Sequence, residues 1–164
     1  MVKIGVENNI PIILKNVAYA EDLMALSKDF PGLHFIKIDR DPIHIARSVY
    51  QAYLELGYFN PIPDALKGEE VKDPIEFSVR QVMEMEKQLN AYWQSIPETN
   101  RHRWTYEEFC ADPDGHLRKA SELVGLLGEY RSVSSLGISL NASKKTNDQD
   151  ARLREHLERL YPQT

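Results

Sequence analysis

The chain has almost no cysteine. Cys110 is the single one among 164 residues, so an intramolecular disulfide is excluded and no Cys-x-x-Cys pair is present to hold zinc. At this length a folded chain withdraws roughly 70% of its unfolded surface from water, enough for a core without such staples. A reducing, cytoplasmic setting is therefore expected. Long hydrophobic runs are also lacking: nothing approaches the ~20 apolar residues of a membrane span, and MVKIGVENN has no signal-peptide core. Nor is there an excess of positive charge. With 25 acidic and 20 basic residues the net charge is −5, which argues against broad nucleic-acid binding and leaves any anionic ligand to a few placed side chains. The glycines are scattered from Gly5 to Gly137 without clustering, so no glycine-rich phosphate cradle is encoded.

What is present is an alternation of short apolar runs and helical periods, expected to form one domain over residues 1–164. Ile10 to Leu14 is β-branched and too brief for a helix, so it reads as a strand with Lys15 at its C-terminal end. Leu23, Leu26 and Phe30 recur at helical spacing until Pro31 and Gly32 stop the pattern. LHFIKIDR follows as a strand, mostly apolar as if covered on both faces, with Arg40 at its exit. Asp41 and Pro42 are a cap and a first helical residue, and Gly57 ends the helix they start. A proline-containing loop leads to Asp73, after which Ile75, Val79, Val82, Met85, Leu89, Tyr92 and Ile96 mark the longest helix, its stripe a core face. Arg101 to Thr105 is a polar candidate strand ending at Tyr106, Asp112 opens a helix running to Gly128, and Ala151 to Leu160 is a charged amphipathic helix.

Strands alternating with helices predict the α/β class: a mainly parallel sheet flanked by helices in three layers, with ligands bound beyond the carboxyl ends of the strands. Lys15, Arg40 and Tyr106 each stand at such an end. An Arg leaving a strand can pair bidentately with phosphate next to a helix N-terminus; equally, Arg40 can pair with Asp41 or another acid. Ser48, eight residues on, is either a hydroxyl donor or an ordinary helical serine, and Lys15 an anion ligand or half of an ion pair. His34, His44, His102, His116 and His156 read as solvated or structural. Tyr53, Tyr58 and Phe59 either line an acceptor pocket or anchor the loop beside them.

The stretch RDPIHIARS, an Arg at a strand end followed by Pro and by Ser eight positions later, resembles the 3′-phosphate-binding stretch of the sulfotransferases. These enzymes transfer a sulfuryl group from 3′-phosphoadenosine 5′-phosphosulfate (PAPS), leaving 3′-phosphoadenosine 5′-phosphate (PAP). ILKN and FPGLHFIKIDRDP upstream, and TYEEFCADPDGHLRKASELVGL downstream, resemble further family segments in the same order, over most of residues 10 to 128. The resemblance implies a P-loop NTPase-like sulfotransferase fold, N-terminally truncated, because nothing upstream of Ile10 matches the family's 5′-phosphosulfate loop. It implies that Arg40 and Ser48 bind the 3′-phosphate and that Tyr106 lies near the adenine; Lys144 and Lys145 either correspond loosely to a basic loop closing over the phosphate or form a solvated pair beside a helix start. The acceptor would be a hydroxyl or amine. The family's His or Glu base maps onto no residue, so the catalytic residue is left unassigned. Loss of a first strand would expose a sheet edge suited to self-association or to a partner segment. The competing expectations are a non-catalytic nucleotide-binding or scaffold protein derived from a sulfotransferase, and a P-loop kinase relative, which would need Mg²⁺.

Overall fold

In a computed structural model the described residues are 20–125, 132–133 and 148–162, with backbone alone for 20–24 and 148. They form α1 (Ala20–Asp29), β1 (Phe35–Asp39), α2 (Pro42–Leu56), α3 (Pro74–Trp93), β2 (Arg101–Thr105), α4 (Tyr106–Ala111), α5 (Pro113–Leu123) and α6 (Asp148–Leu160). The expected strand at Ile10–Leu14, Lys15, Lys144 and Lys145 lie outside the described residues.

Local chemistry explains most boundaries. The Asp41 carboxylate accepts from the Ile43 amide at 2.9 Å, Pro42 takes the first helical position, and α2 ends where Gly57 adopts φ +79°. A side chain at that left-handed position would be strained, so glycine is the natural stop. Asp73 repeats the device for α3, accepting from the amides of Ile75 and Glu76. The helix expected from Asp112 is present as α5, and a short helix that the sequence did not lead one to expect, α4, precedes it. Thr105 and Glu108 form a reciprocal capping box that starts α4, and Asp112 then starts α5 by accepting from Gly115. α5 closes at Leu123 rather than Gly128; Gly125, at φ +70°, takes the chain out of it.

The main core joins three helices. Ile43 and Ala46 of α2, Ile75, Val79 and Val82 of α3 and Leu153 of α6 are buried together, with Leu157 and Tyr161 at the margin. α6 is tied down by charge as well: Arg47 of α2 donates to both Asp150 oxygens at 2.9 and 3.2 Å, and neither side chain is more than 16% exposed. A second cluster holds the loop after α2, where Phe59 stacks on Tyr53 at 4.4 Å and meets Phe77 at 4.6 Å. Phe59 and Tyr53 therefore anchor the loop, whereas Tyr58 is exposed.

Among the described residues the sheet is β1 paired with β2, parallel and in register from Phe35↔Arg101 to Asp39↔Thr105. This is a helix-rich α/β arrangement with one small parallel sheet. One expectation is corrected. Among the described residues β1 is not covered on both faces: Ile36 and Ile38 are 37% and 45% exposed, while Lys37 between them is only 6% exposed. The pleat turns alternate residues to opposite faces, and the face that α3 covers receives the lysine. Its ammonium reaches Glu86 and Asn90 of α3 and Asp39 of its own strand, each at 2.9 Å, so each of its three protons has an acceptor. No helix among the described residues is long and apolar enough to cross a membrane.

Candidate anion site at the strand ends

The in-register parallel pairing ends at Asp39 and Thr105, so the next residue of each strand, Arg40 and Tyr106, leaves the sheet at the same end. The Arg40 guanidinium lies over the Tyr106 ring, 4.3 Å from its centroid. That distance is favourable for a cation–π contact, and the ring fixes the plane of the guanidinium. Arg40 takes no carboxylate from its neighbours. Asp41 is committed to capping α2, and Asp39 is held by Lys37 and Arg103. Arg40 Nε is buried without a hydrogen-bond partner. A buried N–H without an acceptor is costly, and an incoming anion would satisfy it.

Tyr106 is the first residue of α4, so the capping box at Thr105 sets its backbone. The hydrogen bond and charge of neighbouring Cys110, together with burial, push the Tyr106 hydroxyl above its ordinary value against a smaller pull from Arg40. The ring therefore stays neutral at physiological pH and keeps its full cation-binding face. For Asp39, burial alone would raise the carboxyl, but hydrogen bonds from Arg103 and Lys37 and the charge of both outweigh it and hold the group below the usual range.

The other expected residues fall differently. Ser48 is exposed on α2 and donates back to the His44 carbonyl at 3.0 Å, as an ordinary helical serine does. It lies eight residues along from Arg40, and no contact joins the two. Each of the five histidines has protein partners. His34 Nδ1 and His102 Nε2 are 3.1 Å apart, His44 meets Arg47, His116 packs edge-on against Trp104, and His156 lies between Asp73 and Glu76. Burial first, then the charge of His34, holds His102 below its ordinary value. Among the described residues no cluster of His, Cys, Asp or Glu could hold a metal ion. A groove of about 460 Å³ lined by Glu69, Glu70, Lys72, Asp73, Glu76, Phe77 and Arg80 excludes Arg40 and Tyr106, and its four acids against two cations make it a poor anion site.

Reading the sequence alone missed Lys37, Glu86 and Arg103, which together manage the charge beside Arg40. The alternation in FIKID was the available signal for an inward Lys37, and Thr-x-x-Glu at Thr105 the signal for α4.

Comparison with known proteins covers these segments. The profile of the sulfotransferase family matches residues 4–127, and the chain belongs to that family. Two relatives, the omega-hydroxy-beta-dihydromenaquinone-9 sulfotransferases Stf3 of Mycobacterium bovis and Mycobacterium tuberculosis, are each 26% identical over 122 residues. That alignment takes in 70% of this chain and 29% of each relative. The chain thus spans under a third of the length of the curated relatives it matches. No solved structure matches it.

Proposed function

We propose that this chain carries the 3′-phosphoadenosine half of a sulfotransferase donor site. Arg40 binds the 3′-phosphate of PAPS or PAP, and Tyr106 holds the guanidinium in plane and borders the adenine. The observation that carries the reading is Arg40 itself, buried at Nε without an acceptor, stacked on Tyr106 and spared by both flanking aspartates. A guanidinium so placed presents two parallel N–H groups to a phosphate, and the α2 N-terminus adds a partial positive charge behind it. Ser48, Lys144 and Lys145 are proposed as further ligands. For Ser48 this requires the nucleotide to reach along α2, because its hydroxyl is turned to His44.

The donor supplies the activated sulfuryl group, and this chain's residues bind and orient its nucleotide. The acceptor is proposed to be a hydroxyl or amine; a hydroxyl is favoured because the matched relatives are named for a hydroxylated menaquinone. The glycines form no cluster to cradle the 5′-phosphosulfate, which favours a second reading, nucleotide binding without turnover by this chain alone. The proposed setting is cytoplasmic.

Titration calorimetry with PAP in the absence of Mg²⁺ tests the site. Saturable binding is expected, weakened about 10- to 100-fold by Arg40→Ala, the range for losing a charge-assisted hydrogen-bond pair. Absence of saturation at millimolar PAP would overturn the reading.

A further inference from the structure

We propose that Arg103, with Lys37 behind it, is a positioning residue for this site: it holds the Asp39 carboxylate away from Arg40, so that the guanidinium stays available to phosphate. The inference rests on the reading of Arg40 as the phosphate ligand and adds to it the group that keeps the ligand free.

The sequence Asp39-Arg40-Asp41 places a carboxylate on either side of the cation, an arrangement that by itself favours an internal ion pair over a bound anion. The fold disposes of the two acids separately. Asp41 is spent on the α2 cap. Asp39 is gripped from two sides, its Oδ1 by Lys37 at 2.9 Å and its Oδ2 by Arg103 Nε. The parallel register sets Lys37 opposite Arg103, so β1 and β2 each contribute one cation to the same face, flanking Asp39. Lys37 also neutralises Glu86. The four charges cancel as a group, and among the described residues Arg40 beside them has no acid paired with it.

Arg103 contributes little else. Its side chain is 63% exposed, and its hydrogen bond among the described residues is to Asp39, with the charge of Glu86 a lesser attraction. Without it, Asp39 Oδ2 loses its donor, and Arg40, one peptide along with an unsatisfied Nε–H, is a cation it can turn to. The group then carries one net negative charge beside a phosphate site. Both effects weaken anion binding while leaving the core untouched.

The test is PAP titration of the full chain at about 0.1 M salt, with far-ultraviolet circular dichroism to verify folding; the exposure of Arg103 makes Arg103→Ala a mild change for the fold. Arg103→Ala is expected to weaken PAP about three- to tenfold, the effect of one partly screened charge at this range. Arg103→Lys should retain most of the affinity, and adding Asp39→Asn to Arg103→Ala should restore it to within about twofold. Restoration by removing the acid is what a direct Arg103–phosphate contact or a general loss of structure would not produce. Equal PAP affinity of the wild-type chain and Arg103→Ala would overturn this inference and leave the phosphate reading standing, as would a loss that Asp39→Asn does not repair. Failure of the wild-type chain to bind PAP would overturn both.

Discussion

The tie between α2 and α6 gives the sharpest test of the architecture that holds the site. Asp150→Ala would take from the Arg47 guanidinium, only 16% exposed and still in contact with His44, the carboxylate that now accepts from it at 2.9 and 3.2 Å. Removing one member of a buried pair costs about 3–5 kcal/mol, because the remaining charge stays desolvated. The partial access of water to Arg47 places the expected loss near the lower end, about 3 kcal/mol. With a urea m-value of roughly 2 kcal/mol per molar for a domain of this size, the unfolding midpoint should fall by about 1.5 M at unchanged m. The double variant Arg47→Met/Asp150→Leu should come within about 1 kcal/mol of wild type, since it removes both charges and retains apolar volume. Equilibrium urea unfolding followed by circular dichroism reads all three proteins. A loss below about 0.5 kcal/mol in Asp150→Ala would refute the reasoning, because it would mean that α6 is not seated on α2 through this pair.

Two further outcomes follow from the packing and from the imidazole pair. Leu153 is 0% exposed in the main core, so Leu153→Ala should cost about 2–5 kcal/mol by urea unfolding, whereas the same change at the exposed Leu54 should cost under about 1 kcal/mol. His102 should titrate below 6.5 by proton NMR, and His34→Ala should move it only part of the way back, because burial is the larger cause of the shift. A group with a depressed histidine pKa favours the folded state fully above its unfolded pKa near 6.5, and this contribution is lost as the pH falls through the folded value. The stability gap between wild type and His102→Gln should accordingly narrow or reverse below pH 6.5.

Which parts of this molecule are legible in its sequence follows from how local their causes are. α2 is bounded by Asp41, Pro42 and Gly57, all within hydrogen-bonding reach of the helix they delimit, and its observed ends coincide with those signals. The same holds for the start of α3 at Asp73 and for the start of α5 at Asp112. Arg40 is legible as a strand-end cation because its neighbours announce a strand and then a helix. The inward lysine of β1 is not, because the groups that make its burial tolerable lie 49 and 53 residues further on, in α3. Ser48 shows the converse limit: its spacing from Arg40 is plain in the sequence, but the direction of its hydroxyl depends on helix geometry, where the carbonyl four residues back competes for it. The apolar run of β1 misleads for a physical reason too, since a small sheet can leave on one face the very residues, Ile36 and Ile38, that look most buried.

The parallel pairing of β1 with β2 also has a kinetic side. An antiparallel pair can close through a tight turn, but a parallel one requires a long crossover, here running from the end of β1 at Asp39 to the start of β2 at Arg101. α2 and α3 fall within that crossover, so they can form and pack before the strands meet. A chain emerging from synthesis, or opened by mild denaturant, can therefore hold its helices and still have Arg40 and Tyr106 apart. The proposed affinity for the nucleotide phosphate would then report closure of the sheet rather than helix content.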